Sequence, residues 1–445
     1  MPSTSPLYRL VARLGSGVAA LLAPLSPKLA AGHRGRRDAV HRLAAWAERA
    51  RDRARPLVWF HAPSVGEGLQ AESVLLQLRA LHPEAQYVYT HFSPSAASLA
   101  RRLPVDAFDY LPYDLAATAD ALVRALAPTL LVFSKLDLWP ELATRTAASG
   151  AEVAIVAATV SPGSGRLLWP VRALSSPGYR AVTVAAAVSE DDAARLARLG
   201  VARQRIHVLG DPRYDSVIER ISGIAADDPL LRLGRGAPTM VAGSTWPGDE
   251  AVLLETFARV YRDFPAARLI LVPHEPTMSH LTALETQSRT LGLQAVRLSA
   301  AAGPAPLLLV DQVGVLASLY AAGTMAWVGG GYGRAGLHSV LEPAGWGLPV
   351  AFGPRWRESR DARVLLDAGA AVALTGAGAA GAEELYRIWS GWIEREDERA
   401  ERGARARAVV ESGRGASRRS AELLSAAISS RRLRTSPSAE RSAPA

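Results

Sequence analysis

There is no cysteine in this chain. That excludes a disulfide framework, a thiolate zinc site, an iron–sulfur cluster and a thiol nucleophile, and it removes any need for an oxidising compartment. Lysine is nearly as scarce: Lys28 and Lys135 are the only two among 51 basic residues. The bias toward arginine follows composition rather than arginine chemistry, so single arginines are weak signals. A spanning helix needs ~20 apolar residues, and the uncharged stretch near the N-terminus covers only residues 14–27. No small-residue cleavage site follows it, so a signal peptide is not expected. A Walker lysine and a zinc-finger or RNA-binding signature are also missing, and no His/Asp/Glu cluster has metal-ligand spacing. No aromatic residues interleave the C-terminal arginines, so nucleic acid is not an expected partner.

What is present fits a globular protein of two or three domains: 445 residues, 49% hydrophobic and 21% charged. The net charge of +9 sits at the ends. Residues 1–55 carry 11 Lys+Arg against 3 Asp+Glu, residues 401–445 carry 10 against 4, and the middle is net acidic. Basic ends suit an anionic surface. Leu7, Leu10, Val11, Leu14, Val18, Leu21 and Leu22 recur at helical spacing, followed by Lys28, Arg34, Arg36 and Arg37. This pattern fits an interfacial helix with a basic collar, or a helix docked on the protein's own core.

Between the ends, short apolar runs alternate with helical patterns. Runs at 57–61, 87–90, 130–133, 153–157, 185–188 and 208–210 form one series. A linker is expected over 216–237, rich in Gly and Asp-Pro signals. A second series follows at 240–242, 269–272, 307–310, 325–328 and 350–352. Strands alternating with helices predict parallel sheets covered on both faces. The expected architecture is α/β, two doubly wound, Rossmann-like domains facing a central cleft, with ligands beyond the carboxyl ends of the strands.

Five loops at such strand ends carry unusual residues. His61-Ala62-Pro63-Ser64-Val65-Gly66-Glu67 puts a carboxylate at a helix start, as a dipole-stabilised first-turn residue or as a general base. Lys135-Leu136-Asp137 offers an anion contact, or a local ion pair. Gly210-Asp211-Pro212-Arg213 presents an arginine suited to phosphate or carboxylate. Gly243-Ser244-Thr245-Trp246-Pro247-Gly248 suits an anion or is a plain turn. Gly329-Gly330-Gly331-Tyr332-Gly333 leads to His338-Ser339-Val340-Leu341-Glu342-Pro343, where glycine amides and a helix start favour a phosphate and Glu342 a ribose hydroxyl.

In order and spacing, these loops resemble the 3-deoxy-D-manno-octulosonic acid (Kdo) transferases of lipopolysaccharide assembly, from about residue 57 to 355. Tyr110-Leu111-Pro112-Tyr113-Asp114 and Leu138-Trp139-Pro140 belong to the same pattern. The resemblance implies a GT-B glycosyltransferase that inverts the anomeric centre, with CMP-Kdo as donor, a lipid A precursor as acceptor, and no cofactor. It places the catalytic base on Glu67 and charge-stabilising roles on Lys135 and Arg213. It places CMP contacts on His274 and Glu275, on Val313, Gly314 and Val315, and on Ser339, Val340, Leu341 and Glu342. Ser244, Thr245, Gly330 and Gly331 join these as candidate phosphate contacts.

The chain departs from the family pattern in places. Lys135 replaces a frequent carboxylate, Trp246-Pro247 a His-Glu pair, His274-Glu275 an Arg-His pair, and Ser339-Val340 an Asn-Pro pair. The implied location is the cytoplasmic face of the bacterial inner membrane, held peripherally or by the N-terminus on an anionic surface. The expected division is a membrane-associating segment at 1–37, an acceptor domain at 38–215, the linker at 216–237, a CMP-sugar domain at 238–410, and a partly disordered basic tail at 411–445. Another GT-B enzyme using a UDP-sugar, an epimerase, or an inactive nucleotide-binding module would share this architecture.

Overall fold

The structure, a computed structural model, describes residues 3–334 and 336–435. The chain divides into two compact units, residues 1–216 with 415–445, and residues 217–414.

The first unit holds a seven-stranded parallel sheet: β1 (Leu57–His61), β2 (Gln86–His91), β3 (Ala107–Tyr110), β4 (Leu130–Ser134), β5 (Glu152–Ala158), β6 (Val184–Ala187) and β7 (Ile206–Val208). Their spatial order is β3-β2-β1-β4-β5-β6-β7. All residues of β1, β2, β4, β5 and β6 are buried, because helices cover both faces. This explains why they read as continuous apolar runs. One face packs Trp59, Phe133, Leu142 and Tyr179; the other packs Phe60, Val74, Leu75 and Ile428. The chain builds outward from β1 to β3, then returns to lay β4 on the other side of β1. The crevice between the ends of β1 and β4 is therefore the switch point at which such sheets bind ligands.

The second unit repeats the plan with β8 (Thr239–Thr245), β9 (Arg268–Pro273), β10 (Ala295–Arg297), β11 (Leu307–Leu309), β12 (Met325–Val328), β13 (Val350–Phe352) and β14 (Ala371–Ala373). The order β10-β11-β9-β8-β12-β13-β14 puts its switch point between β8 and β12.

Three strands, β3, β10 and β14, are not among the expected runs. They are three or four residues long, lie at sheet edges and are only partly buried, so they carry little apolar signal. The run at 208–210 belongs to β7, which ends at Val208.

Two expected boundaries change. A helix at Pro212–Ser222 crosses the start of the expected linker. The tail expected to be partly disordered contains the helix Ala416–Thr435, part of the first unit; its residues 436–445 lie outside the described ones. Ala421, Leu424 and Ile428 share one face of that helix and are buried against the first sheet's core. Asp215 caps its start, accepting the backbone N–H of Gly415 (2.6 Å) and Ser417 (2.7 Å).

The N-terminal segment also joins the first unit. Tyr8 donates its hydroxyl to Asp114 (2.6 Å), and Arg9 and Thr4 both bond to Glu141. Asp114 in turn accepts the N–H groups of Glu141 and Leu142 at the start of the helix Pro140–Ala148. Burial pushes the Asp114 carboxyl up to about 6, although these bonds oppose the shift. One member of the expected collar is withdrawn. Arg36 is buried, stacks over Phe92 at 3.6 Å and donates to the Phe92 carbonyl. Lys28, Arg34 and Arg37 stay exposed.

Candidate active site

In the first unit the candidate residues gather at the β1/β4 switch point. Glu67 lies in the first turn of the helix Val65–Leu81, just beyond β1. Lys135 follows β4 directly. Their side chains meet, Lys135 Nζ to Glu67 Oε1 at 3.2 Å. Ser134 Oγ donates to the Glu67 carbonyl (2.9 Å), which ties the helix start to the end of β4.

The Ser64-to-Glu67 spacing would also suit a capping box, but Ser64 makes no side-chain cap bond to the helix. Its hydroxyl donates to the other Glu67 oxygen instead. The carboxylate is thus oriented by a hydroxyl and an ammonium while a fifth of it remains open to solvent. Lys135 adopts a left-handed backbone, φ +61°, that non-glycine residues rarely take. Its N–H still donates to the Val156 carbonyl (2.8 Å).

The Lys135–Asp137 pairing open from the sequence is not formed. Asp137 instead accepts from Trp139 Nε1 (3.0 Å), faces His61 Nε2 (3.2 Å) and lies 3.7 Å from Arg166. Burial alone would raise its carboxyl, but these partners hold it below the usual range. His61, the last residue of β1, is fully buried and bonds Thr90 through Nδ1. The His61–Asp137–Trp139 cluster therefore braces the loop carrying Lys135.

Arg213 opens the helix Pro212–Ser222 and folds onto Asp211, with Nη2 to Oδ2 at 2.6 Å and Nε to Oδ2 at 2.9 Å. One turn later Ser216 bonds the Leu69 carbonyl (3.2 Å) and the Ser73 hydroxyl (2.6 Å). The two helices carrying Arg213 and Glu67 are thus neighbours.

In the second unit the candidates surround the β8/β12 switch point. Ser244 is left-handed, φ +54°, where the pairing of β8 with β9 shifts register. Thr245 donates to Glu250 (2.9 Å) and accepts the N–H of His274, which follows β9. The Glu275 carbonyl accepts from His280 Nδ1 (3.1 Å). Val313, largely exposed, and Gly314, φ +86°, precede Val315, which caps the short helix Leu316–Ala321.

Beyond β12, Gly330 has φ +94°, and a Cβ there would strike the Gly336 carbonyl. A Cβ on Gly331 would lie 2.6 Å from the Gly353 nitrogen. Ser339 accepts the Leu341 N–H (3.4 Å), and Val340 is the cap residue before the helix Leu341–Gly345. Glu342 pairs with Arg220.

One expected role is corrected here. The Gly330 N–H is not available to a phosphate, because it donates to Asp249 Oδ2 (2.9 Å). The same oxygen accepts the Trp246 N–H (3.0 Å). Burial raises the Asp249 carboxyl to about 6 against the pull of those two bonds. Asp249 thereby links the ends of β8 and β12, a function hidden in sequence by its place inside a helix. Trp246, His274 and His338 come together as stacked rings, with His274 4.9 Å from Trp246 and 4.5 Å from His338. Among the described residues no group of three His, Cys, Asp or Glu could hold a metal ion.

Two doubly wound units, each with its unusual polar residues at a switch point, define the GT-B class of nucleotide-sugar enzymes. Residues 39–216 match the family described as 3-deoxy-D-manno-octulosonic-acid transferase (kdotransferase). A 3-deoxy-D-manno-octulosonic acid transferase of Chlamydophila psittaci is 30% identical over 327 residues, covering 72% of this chain and 74% of the relative. One from Bordetella pertussis is 28% identical over 337 residues, covering 71% and 75%. The chain belongs to the 3-deoxy-D-manno-octulosonic acid transferase family and is a glycosyltransferase. Its fold is also similar to that of a UDP-GlcNAc 2-epimerase from Neisseria meningitidis, with TM-score 0.60, 11% identity, and coverage of 84% of this chain and 100% of that one.

Proposed function

We propose that this enzyme moves Kdo from CMP-Kdo to a lipid A precursor in lipopolysaccharide biosynthesis, by one inverting displacement. The observation that carries the reading is the Glu67 carboxylate, oriented by Ser64 and Lys135 at the end of β1. An acceptor hydroxyl forms a bond to the anomeric carbon of Kdo as the bond from that carbon to the CMP phosphate breaks. Glu67 takes the hydroxyl proton, a contribution of roughly 10²–10⁴-fold. Lys135 and Arg213 balance the charge that develops. CMP is held by Ser244, Thr245, His274, Glu275, Val313, Gly314, Val315, Gly331, Ser339, Val340, Leu341 and Glu342, with Gly330 supplying close approach rather than its N–H. The UDP-sugar reading rests on fold alone, at 11% identity.

The deciding assay combines purified enzyme, CMP-Kdo and a tetraacylated lipid A precursor, with mass spectrometry of the product. A mass gain of one or more Kdo units supports the reading; turnover with a UDP-sugar and none with CMP-Kdo overturns it. Glu67→Ala should cut transfer at least about 100-fold while leaving CMP affinity nearly unchanged. A variant keeping a tenth of the wild-type rate would remove Glu67 from the base role.

The acceptor is a lipid, and the surface of the first unit suits a membrane. No helix among the described residues is long and apolar enough to cross one. The helix Pro6–Leu22 is docked by its first turn, while Leu7, Leu10, Val11, Leu14, Val18 and Leu21 remain exposed. Beside it, Leu168, Trp169 and Val171 are exposed at the start of the helix Trp169–Ala181. Apolar side chains with a tryptophan and flanking cations favour the interface of a bilayer. On this reading the enzyme works at the cytoplasmic face of the inner membrane, bound to its anionic surface.

A further inference from the structure

Trp246 and His338 are 92 residues apart in sequence, yet the indole Nε1 lies 2.9 Å from the imidazole Nε2. An indole N–H can only donate. His338 Nε2 must therefore present a lone pair, and a neutral imidazole with a lone pair on Nε2 carries its proton on Nδ1. Burial and the neighbouring His274 both disfavour the charged ring. Among the described residues no group accepts from Nδ1.

The ring sits on the glycine loop. The His338 N–H folds back to the Gly329 carbonyl (3.1 Å), and Cδ2 lies 3.1 Å from where a Gly330 Cβ would be. Glycine leaves the ring room there. The loop follows β12, one of the two strands at the switch point, where an anionic ligand of this sheet would bind. Its Gly330 amide, the donor such a loop ordinarily offers, is already taken by Asp249.

We propose that Trp246 pins His338 as the neutral Nδ1–H tautomer, and that this N–H replaces the Gly330 amide as a donor to the phosphate of the nucleotide sugar. His338 is then a binding residue, and Trp246 a positioning residue acting through it. The inference rests on the nucleotide-sugar reading above, but not on the base of the nucleotide being cytosine.

The test uses the full chain with CMP as probe. In ¹⁵N-histidine spectra, His338 should show the Nδ1–H tautomer in the wild type and lose that preference in Trp246→Phe, which keeps an aromatic ring but no N–H. His338→Ala should weaken CMP binding about 10-fold or more in calorimetry, the scale of one hydrogen bond to a charged group. His338→Asn, whose amide N–H can stand where Nδ1–H stood, should stay within about 3-fold of the wild type. His338→Gln, which moves the donor to the Nε2 position, should resemble the alanine variant. An Nε2–H tautomer in the wild type would overturn the proposal, as would CMP affinity unchanged in His338→Ala. If the wild type binds UMP and ignores CMP, the donor assignment fails. The tautomer and the same variants measured with UMP then decide the role of His338.

Discussion

Lys135 shows how a single residue can carry both a cost and a role. Its left-handed backbone is a conformation that a side chain makes about 1 kcal/mol less favourable than glycine does. Lys135→Gly should therefore be about 1 kcal/mol more stable than Lys135→Ala in urea denaturation. Both should lose turnover, because neither can reach Glu67. Equal stability of the two variants would mean that the backbone there relaxes without penalty. Glu342 offers a parallel case in the second unit. Its contact with Arg220 already neutralises one face of the carboxylate. Glu342→Ala should weaken CMP binding in calorimetry, while Arg220→Ala should do so less, since it leaves the carboxylate proposed to meet the ribose in place.

At the scale of elements, the apolar stripe of the helix Pro6–Leu22 and the capped C-terminal helix make opposite predictions. Leu14→Asp with Leu21→Asp lie on exposed positions, the latter 78% open, so they should leave stability nearly unchanged and abolish co-flotation with anionic liposomes. Leu424→Ala, on a buried face, should cost about 2–5 kcal/mol in denaturant unfolding. The central strands and their loops were legible because parallel strands buried on both faces leave unbroken apolar runs. Glu67 and Lys135 were legible for the same reason, since Lys135 directly follows such a run and Glu67 opens the helix after one. The C-terminal helix was not. Its order depends on Asp215, a cap two hundred residues upstream, and on a sheet face that a local pattern of Arg, Ser and Ala does not advertise. The His338 tautomer likewise depends on Trp246, and the lost Gly330 donor on Asp249. Neither partner is near in sequence.

For the whole molecule, acid sensitivity has an identifiable source. His91 is buried against Tyr110 and donates Nδ1–H to the Ser93 carbonyl. Burial lowers it from 6.5 to about 4 in the folded protein. Its stabilising contribution is therefore complete above pH 6.5 and is lost as pH falls through 4, by about 3 kcal/mol. Asp114 and Asp249, raised to about 6, run the other way: they favour the folded state in acid, and that advantage is lost as pH rises through 6. His91→Gln should consequently lose less stability than the wild type between pH 7 and pH 4, as read from urea midpoints. An unchanged pH slope would place the acid-sensitive group elsewhere.

The first unit is written in two instalments, with residues 217–414 between them. During synthesis its sheet and most of its helices are made before the intervening unit, and the helix that covers Val74 and Leu75 is made after it. At about 5–20 residues per second, the intervening unit takes about 10–40 s to translate. Throughout that interval the nascent first half exposes an apolar face that Ala421, Leu424 and Ile428 cover only once the intervening unit has been made. Versions lacking the helix Ala416–Thr435 should aggregate as they emerge, before any question of catalysis arises.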